Sequence, residues 1–496
     1  MFTGTGIIMM SLSILLLGGI TVAGIFYSRD KSDSTEDYFS AGRNVGLAST
    51  IATFIAFAAG TGMLFSPAES AYFNGFSALM GYSVAISLAF FVFSPISRRI
   101  KKLIPAGHSI PEYIKARYGN GMYITILLVT MLYMFILLTI NLVGASLALR
   151  YMGDVPIPIG VLIIGIPMII YTSYGGLSAS IFTDGLQAIF IIPIVFITGL
   201  AGVLYFGGGS SLYGNLMEQA PEQLNILNAG GLKFGVMIII AVMAAELLNQ
   251  SLWQRVYSGK DGKTVARGLK IAGLIAFPMA FISGLFGLMV VSMGIELPHP
   301  SVATAIMIAR VLPEWIIVIF ALAIVAAASS TGYNALNAFS SLMAVDVLRP
   351  LFLAMDRKKL LSLSRIITIA FGVGAMLLAF RAPSVLFLLL VADLVCSAAL
   401  IPVFAGLYMK RISGRVAMSA TILGIVGGLP LFRAGENLYS FLTAIILSGL
   451  TIFIGSRVFP INYDFNRLQT DIKTLDHGQE SLDQMENKTK EGAELV

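Results

Sequence analysis

The chain has one cysteine, three histidines and two tryptophans in 496 residues. The single thiol, Cys396, lies in an apolar stretch and excludes both an internal disulfide and a cage of several thiolates. His108, His299 and His477 are far apart in sequence, which argues against a histidine-rich metal site. Charge is scarce too: 12% of residues are Asp, Glu, Lys or Arg, against 57% apolar, and the mean hydropathy is +0.87. The sequence has no phosphate-cradling loop, nucleophile–base pair or metal cage, so nothing in it points to an enzyme. Nor does it contain a linker long enough to separate a pair of folded domains.

Long apolar runs make up most of what is there. A soluble chain of this length could not hide so much apolar surface, so the composition indicates an all-α integral membrane protein. Taking about 20 apolar residues per crossing, the sequence predicts about thirteen transmembrane helices. They fall near 7–27, 46–71, 76–97, 122–149, 156–173, 180–206, 234–252, 270–294, 314–340, 366–382, 384–408, 416–433 and 438–456. The first run lacks a charged leader region and reads as a spanning helix, not a cleaved signal.

The formal charge of +6 has a topological cause and does not indicate a nucleic-acid partner. Arg98, Arg99, Lys101, Lys102, Lys115 and Arg117 share one loop, and Arg255, Lys260, Lys263 and Arg267 share a second. Arg349, Arg357, Lys358 and Lys359 form a third group and Lys410, Arg411 and Arg415 a fourth; all four fall on one side under this count. Loops 207–232 and 295–313, on the other side, are poor in Lys and Arg. The positive-inside rule then predicts a multi-pass cell-membrane protein with its N-terminus outside and its C-terminus in the cytoplasm. Residues 1–456 read as one transmembrane transporter domain and 457–496 as a mostly disordered cytoplasmic tail. Five helices in 46–206 and five in 234–408 would enter the membrane in opposite senses, an inverted repeat, leaving 7–27 and 416–456 as accessory helices.

Two stretches ask for more than packing. Gly60, Thr61 and Gly62 lie mid-span, with Pro67 beyond them. Glycines lower the cost of leaving helical geometry. A break there would free carbonyls for a cation and expose a half-helix N-terminus that favours an anion or dipole. The same residues would equally serve as a small-residue packing face. In 314–340, Ser329, Ser330, Thr331, Asn334 and Asn337 fall within three turns, and Ser330, Asn334 and Asn337 share a face at i, i+4 and i+7. Hydrogen bonds back to carbonyls one turn earlier account for one or two hydroxyls. They account less well for the two asparagines, which favours a wet or ion-binding interior.

Seven stretches carry a family resemblance: YFSAGRNVG (38–46), SPAESAYFNG (66–75), SIPEYIKARYG (109–119), YTSYGGLSASIFTDGLQA (171–188), LLNQSLWQRVYSGKDGKTVARG (247–268), AAASSTGYNALNAFSSLMAVDV (326–347) and IPVFAGLYMKR (401–411). In order and spacing the chain resembles the sodium:solute symporter family over roughly 7–456, a family with the LeuT-type fold and a 5+5 inverted-repeat core. The resemblance implies Na⁺ clamped between the first broken core helix and the hydroxyl-bearing helix. Its ligands would be the main-chain carbonyls of Ala56 and Ala59 and the hydroxyls of Ser330 and Thr331, an all-oxygen set that suits a hard cation. Some relatives hold a second sodium through Asp184 and two hydroxyls one turn further on. Tyr333 and Asn334 stand at those two positions here, and tyrosine is too bulky for a compact site. Asp184 and Asn334 are thus candidates for a second ion site or an exit relay; for Asp184 the plain alternative is to accept hydrogen bonds near the cytoplasmic mouth. The implied solute site comprises Gly60, Thr61, Gly62, Asn141, Asn249 and Gln250. No Gly or Pro announces a break at Asn249, and a helix end satisfying its own carbonyls is the competing role.

Glu69, Glu246 and Asp393 are acids in apolar spans, and each is a functional candidate because ionised burial is costly. Glu69, near the outer end of its helix, reads as a solvated mouth residue. Glu246 and Asp393 lie deeper, where each would bind a cationic group, carry a proton, or pair with an amide while neutral. No Arg or Lys is expected at midplane depth; Arg150 and Arg381 look interfacial. This leans towards a neutral, zwitterionic or amine-bearing solute. The expectation is a sodium-coupled symporter moving a small polar organic solute across the lipid bilayer by alternating access. A proton-coupled carrier of an amine- or urea-like solute stays open, as does a membrane sensor built on a transporter fold.

Overall fold

The computed structural model describes residues 3–28, 40–352 and 357–473. The tail from 474, most of the loop at 28–44 and part of the loop at 349–359 lie outside the described residues.

Lipid offers no hydrogen bonds, so each apolar run closes its backbone bonds on itself as a helix. The main helices are α1 (Gly4–Ser28), α2 (Leu47–Ala58), α3 (Thr61–Leu103), α4 (Ile110–Tyr118), α5 (Asn120–Gly153), α6 (Ile157–Tyr205), α7 (Ala229–Leu247) and α8 (Gln250–Ser258). They continue as α9 (Gly262–Ser292), α10 (Ala303–Val311), α11 (Glu314–Ser341), α12 (Arg357–Ala379), α13 (Val385–Tyr408), α14 (Gly414–Arg433) and α15 (Asn437–Val458). There is no strand among the described residues. Among the described residues eleven helices are long and apolar enough to cross a membrane, which makes this a multi-pass membrane protein.

The predicted spans are joined differently than expected. α3 runs for 43 residues, about 65 Å, roughly twice the hydrocarbon core of a bilayer. Gly75, at φ +73°, turns the chain back between the predicted spans 46–71 and 76–97. Gly176, at φ +62°, does the same between 156–173 and 180–206 within the 49 residues of α6. A residue without Cβ tolerates these left-handed conformations, so each reversal needs no loop. With both reversals counted and each interrupted helix taken as one crossing, about thirteen crossings result. The two sets of five each open on an interrupted helix: α2 breaks before α3, and α7 breaks before α8.

α3 packs along α9 through small residues. A methyl on Gly287 would fall 2.1 Å from the Ala68 carbonyl oxygen. Ser87 donates to the Gly273 carbonyl at 2.8 Å and Ser94 to the Ala266 carbonyl at 2.9 Å, stitching the same pair of helices. Small residues and interhelical hydrogen bonds are what hold helices together where lipid supplies no hydrophobic drive.

Arg117 corrects a sequence-based expectation. Placed in a solvated loop by the charge count, it is 2% exposed. Its guanidinium donates to the carbonyls of Gly406 (3.1 Å), Met409 (2.7 Å) and Ile412 (3.1 Å), capping the carbonyl end of α13. Its other face lies 4.3 Å from the Tyr463 ring, and the Tyr463 hydroxyl donates to the Ala116 carbonyl. Leu468 and Ile472 are buried beside it. Residues 459–473 are thus docked against the basic end of the bundle. Arg117→Ala would leave these carbonyls without their donor and should cost about 3 kcal/mol. This reads as a clear fall in thermal midpoint of the purified protein, where the exposed Lys260→Ala leaves the midpoint unchanged.

Candidate functional site

The first interruption falls in the run AFAAGTG. α2 ends at Ala58, Ala59 leaves helical geometry (ψ 20°), and Gly60 is extended (ψ 175°). The helix resumes at Thr61, so the irregular residues are Ala59 and Gly60, whereas the sequence pointed to Gly60–Gly62. The Gly60 carbonyl accepts from the N–H groups of Met63 and Leu64, restarting the ladder. Among the described residues no backbone hydrogen bond reaches the carbonyls of Ala56 or Ala59. The exposed N-terminus of α3 is capped from α5: Asn141 Oδ1 accepts from the Thr61 N–H (3.1 Å) and hydroxyl (3.2 Å), and its amide donates to the Leu137 carbonyl.

The hydroxyl-bearing helix α11 faces this break. Thr331 is 3% exposed, and its Oγ1 is buried without a hydrogen-bond partner. A methyl on Gly60 would lie 2.6 Å from that oxygen, so only glycine lets the two backbones come this close. Ser330, adjacent in sequence, donates to Asp184 Oδ1 at 2.6 Å. Spending its proton there leaves the Ser330 oxygen's lone pairs available to a cation. Carbonyl and alcohol oxygens are the donor types that suit a hard monovalent cation.

Asp184 is the centre of a second cluster. Its carboxylate is ion-paired with Arg255 Nη2 at 2.8 Å, with side chains 1% and 0% exposed. Thr53 donates to Asp184 Oδ2 at 2.5 Å and accepts from Arg255 Nε at 2.7 Å. Asn334 reaches Oδ1 more weakly, at 3.4 Å, and its own carbonyl oxygens accept from Ser180 and Ser251. The cluster thereby ties α2, α6, α8 and α11 together. This corrects one expectation: Arg255, grouped with loop cations by the charge count, is buried in the bundle. Asp184, weighed for a second ion site or an exit relay, is paired with its guanidinium. Arg255 was missed because it was grouped with Lys260 and Lys263. The available signal was its setting, SLWQRVYS, with no other charge until Lys260.

The second interruption, at Leu248 and Asn249, has no glycine or proline. Asn249 caps α8 by accepting from the Ser251 N–H at 3.0 Å. Gln250, expected in the solute site, is turned away from it. Its Oε1 accepts from the Ile110 N–H (2.9 Å) and its Nε2 donates to the His108 carbonyl (3.1 Å), tying α8 to α4. Trp253 donates to the Leu247 carbonyl and stacks on Tyr113.

Beside both breaks lies a cavity lined by Gly60, Gly62, Asn141, Thr331, Glu246 and Asp393, with Phe57, Tyr82 and Tyr133 as aromatic walls. Of the predicted solute residues, Gly60, Gly62, Asn141, Glu246 and Asp393 share this cavity, whereas Thr61, Asn249 and Gln250 do not line it. Glu69 is not a solvated mouth residue. It is 4% exposed and accepts from Ser301 (2.5 Å) and Ser384 (2.7 Å), clasping the segment before α10 and the start of α13 on the side of the cavity away from the basic end.

The chain belongs to the sodium:solute symporter family, whose model matches residues 38–424. It is 24% identical over 407 residues to the spermidine transporter DUR31 of Candida albicans, covering 81% of this chain and 74% of that one. It is 26% identical over 374 residues to the sodium/pantothenate symporter of Escherichia coli, covering 70% and 74%. Among solved structures, a Na⁺-coupled sialic acid symporter in a substrate-bound outward-open state superposes with a TM-score of 0.77 at 19% identity, covering 92% of this chain and 99% of that one. The fold is therefore the LeuT-type fold that the motifs implied, and the protein is a transporter, not an enzyme.

Breaking a buried ion pair by removing one partner costs about 3–5 kcal/mol, more than removing both. Arg255→Gln should therefore lower the thermal midpoint further than the double substitution Arg255→Gln with Asp184→Asn. An equal or smaller fall in the single variant would show that the pair is not energetically coupled.

Proposed function

We propose that the protein imports a small polar organic solute together with Na⁺ by alternating access, with Na⁺ held by the carbonyls of Ala56 and Ala59 and the hydroxyls of Ser330 and Thr331. The observation that carries this reading is the orphaned Thr331 oxygen facing the Gly60 break. A buried hydroxyl oxygen without a partner is costly unless something binds it. Na⁺ in this place pins α2 against α11. Gly60 and Thr331 also line the cavity, so a solute there meets a wall that Na⁺ has set, and by linkage the solute strengthens Na⁺ binding equally. The Arg255 guanidinium already serves as the cation of Asp184, which supports a single sodium per cycle.

The basic end faces the cytoplasm in this reading, the N-terminus is outside and the C-terminus inside a cell membrane. Glu69 with Ser301 and Ser384 then closes the outer path. Gln250 on residues 108–110, and Ser109 donating to Asp346 Oδ1 at 3.0 Å, close the inner one. Alternating access consists of parting one clasp while the other holds.

A second reading has Glu246 or Asp393 carrying a proton in place of Na⁺; it is favoured by the buried oxygens of both acids that lack partners. Uptake into proteoliposomes at fixed pH, with sodium replaced by choline, separates the two. Loss of uptake supports sodium, and undiminished uptake supports the proton. Under the sodium reading, Thr331→Ala raises the half-saturating sodium concentration about tenfold or more, the loss of roughly one good ligand, and the sodium dependence of the wild type is hyperbolic. Unaltered sodium affinity in that variant would remove Thr331 from the site, and a sigmoidal sodium dependence would require a second ion.

A further inference from the structure

The acids of the cavity differ from Glu69, held by Ser301 and Ser384, and from Asp184, held by Arg255, Thr53 and Ser330. Asp346, outside the cavity, is intermediate: Ser109 donates to its Oδ1, and its Oδ2 has no partner. Asp393 is 2% exposed and its Oδ1 has no partner; Glu246 Oε2 has none either. The buried amide nitrogen of Asn249, three residues on from Glu246, has no partner either. Glu246 closes α7 one turn before the second interruption, and Asp393 comes from the middle of α13, so two elements aim carboxyl groups into one space. Among the described residues no Lys, Arg or His lines that space.

We propose that the transported solute is a short aliphatic diamine, with its protonated amino groups seated against Glu246 and Asp393. The proposal rests on the reading above that this cavity is the solute site. Two buried carboxyl groups facing one cavity cannot readily both ionise without a counter-cation, and here neither finds one among the described residues. The sodium donor set carries no formal negative charge, so Na⁺ and the diamine do not compete for the same acids. Tyr82, Tyr133 and Phe57 offer ring faces that suit an ammonium group. Met63, Leu137, Ile140 and Leu389 complete the wall with apolar surface for the methylene chain. The arrangement also selects against alternatives. A carboxylate solute would bring a third acid into the cavity with no cation to balance it, and a neutral diol of the same length would supply no charge to either carboxyl group.

The test uses the full-length protein in detergent, with thermal stabilisation as the measure of binding. The probes are diaminobutane, butanediol and urea, each with saturating sodium. Diaminobutane should raise the melting temperature at concentrations where butanediol and urea do not. Glu246→Gln and Asp393→Asn should each raise its half-saturating concentration about tenfold or more, while the stabilisation by sodium alone persists. Equal stabilisation by butanediol or urea, or unchanged diamine affinity in both variants, overturns the proposal. Should a variant fail to fold, the comparison of diaminobutane with butanediol on the wild type decides alone. Sodium stabilisation without any diamine effect sinks this inference and leaves the sodium reading standing. A diamine effect with no response to sodium does the reverse.

Discussion

Arg255 and Asp184 meet at 2.8 Å with both side chains out of solvent, and the arrangement of the centre follows from that contact. An ion pair in a low-dielectric interior persists only if the remaining donors and acceptors are also matched. Thr53 and Ser330 do this for the carboxylate, and Thr53 and the Ser251 carbonyl for the guanidinium. Those partners come from three helices, and Asp184 itself adds a fourth. The short α8, nine residues long, could not hold a position in the bundle by apolar packing alone; Arg255 and Ser251 fix it to α2, α6 and α11. Ser330 is oriented by the same carboxylate, and Thr331 beside it faces the break in the first helix. The Ser330 oxygen, proposed above as a sodium ligand, is therefore oriented from behind, by a charge pair that it touches through Asp184.

Both helix interruptions obey one constraint. A helix stopped within the membrane exposes peptide groups that lipid cannot satisfy, and protein must supply the partners. At the first, Asn141 from α5 caps the restart at Thr61. At the second, Asn249 caps α8 from within the chain itself. The carbonyls of Ala56 and Ala59 are the groups left over, which is what a cation site needs. A buried amide placed one residue ahead of a helix restart does the same work in lipid as an N-cap in water.

Much of this was legible from the chain. Apolar length gave the helices, because lipid imposes one criterion on every crossing. GTG marked the first break, since glycine is where a helix is cheapest to leave, although the irregular residues proved to be Ala59 and Gly60. Ser330 and Thr331 stood out as hydroxyls in an otherwise apolar run. The span ends at 71 and 173 and the restarts at 76 and 180 bracketed the reversals at Gly75 and Gly176; that one left-handed glycine makes each turn was not visible, because nothing local distinguishes such a glycine from one at a packing face. The break at Asn249 carried no glycine or proline signal. Arg255, Arg117 and Gln250 were misjudged for a shared reason. Whether a polar side chain is buried depends on what it meets, and their partners lie far away in sequence: Asp184 for Arg255, the end of α13 for Arg117, and residues 108–110 for Gln250.

The internal pairing of Asp184 has an electrical corollary. A transmembrane voltage does work of about 2.3 kcal/mol per 100 mV on each elementary charge it carries through the field. A lone carboxylate at this depth would feel that force whenever the bundle rocked. Joined to Arg255, it moves as part of a pair whose charges sum to zero, so the field does little net work when the two travel together.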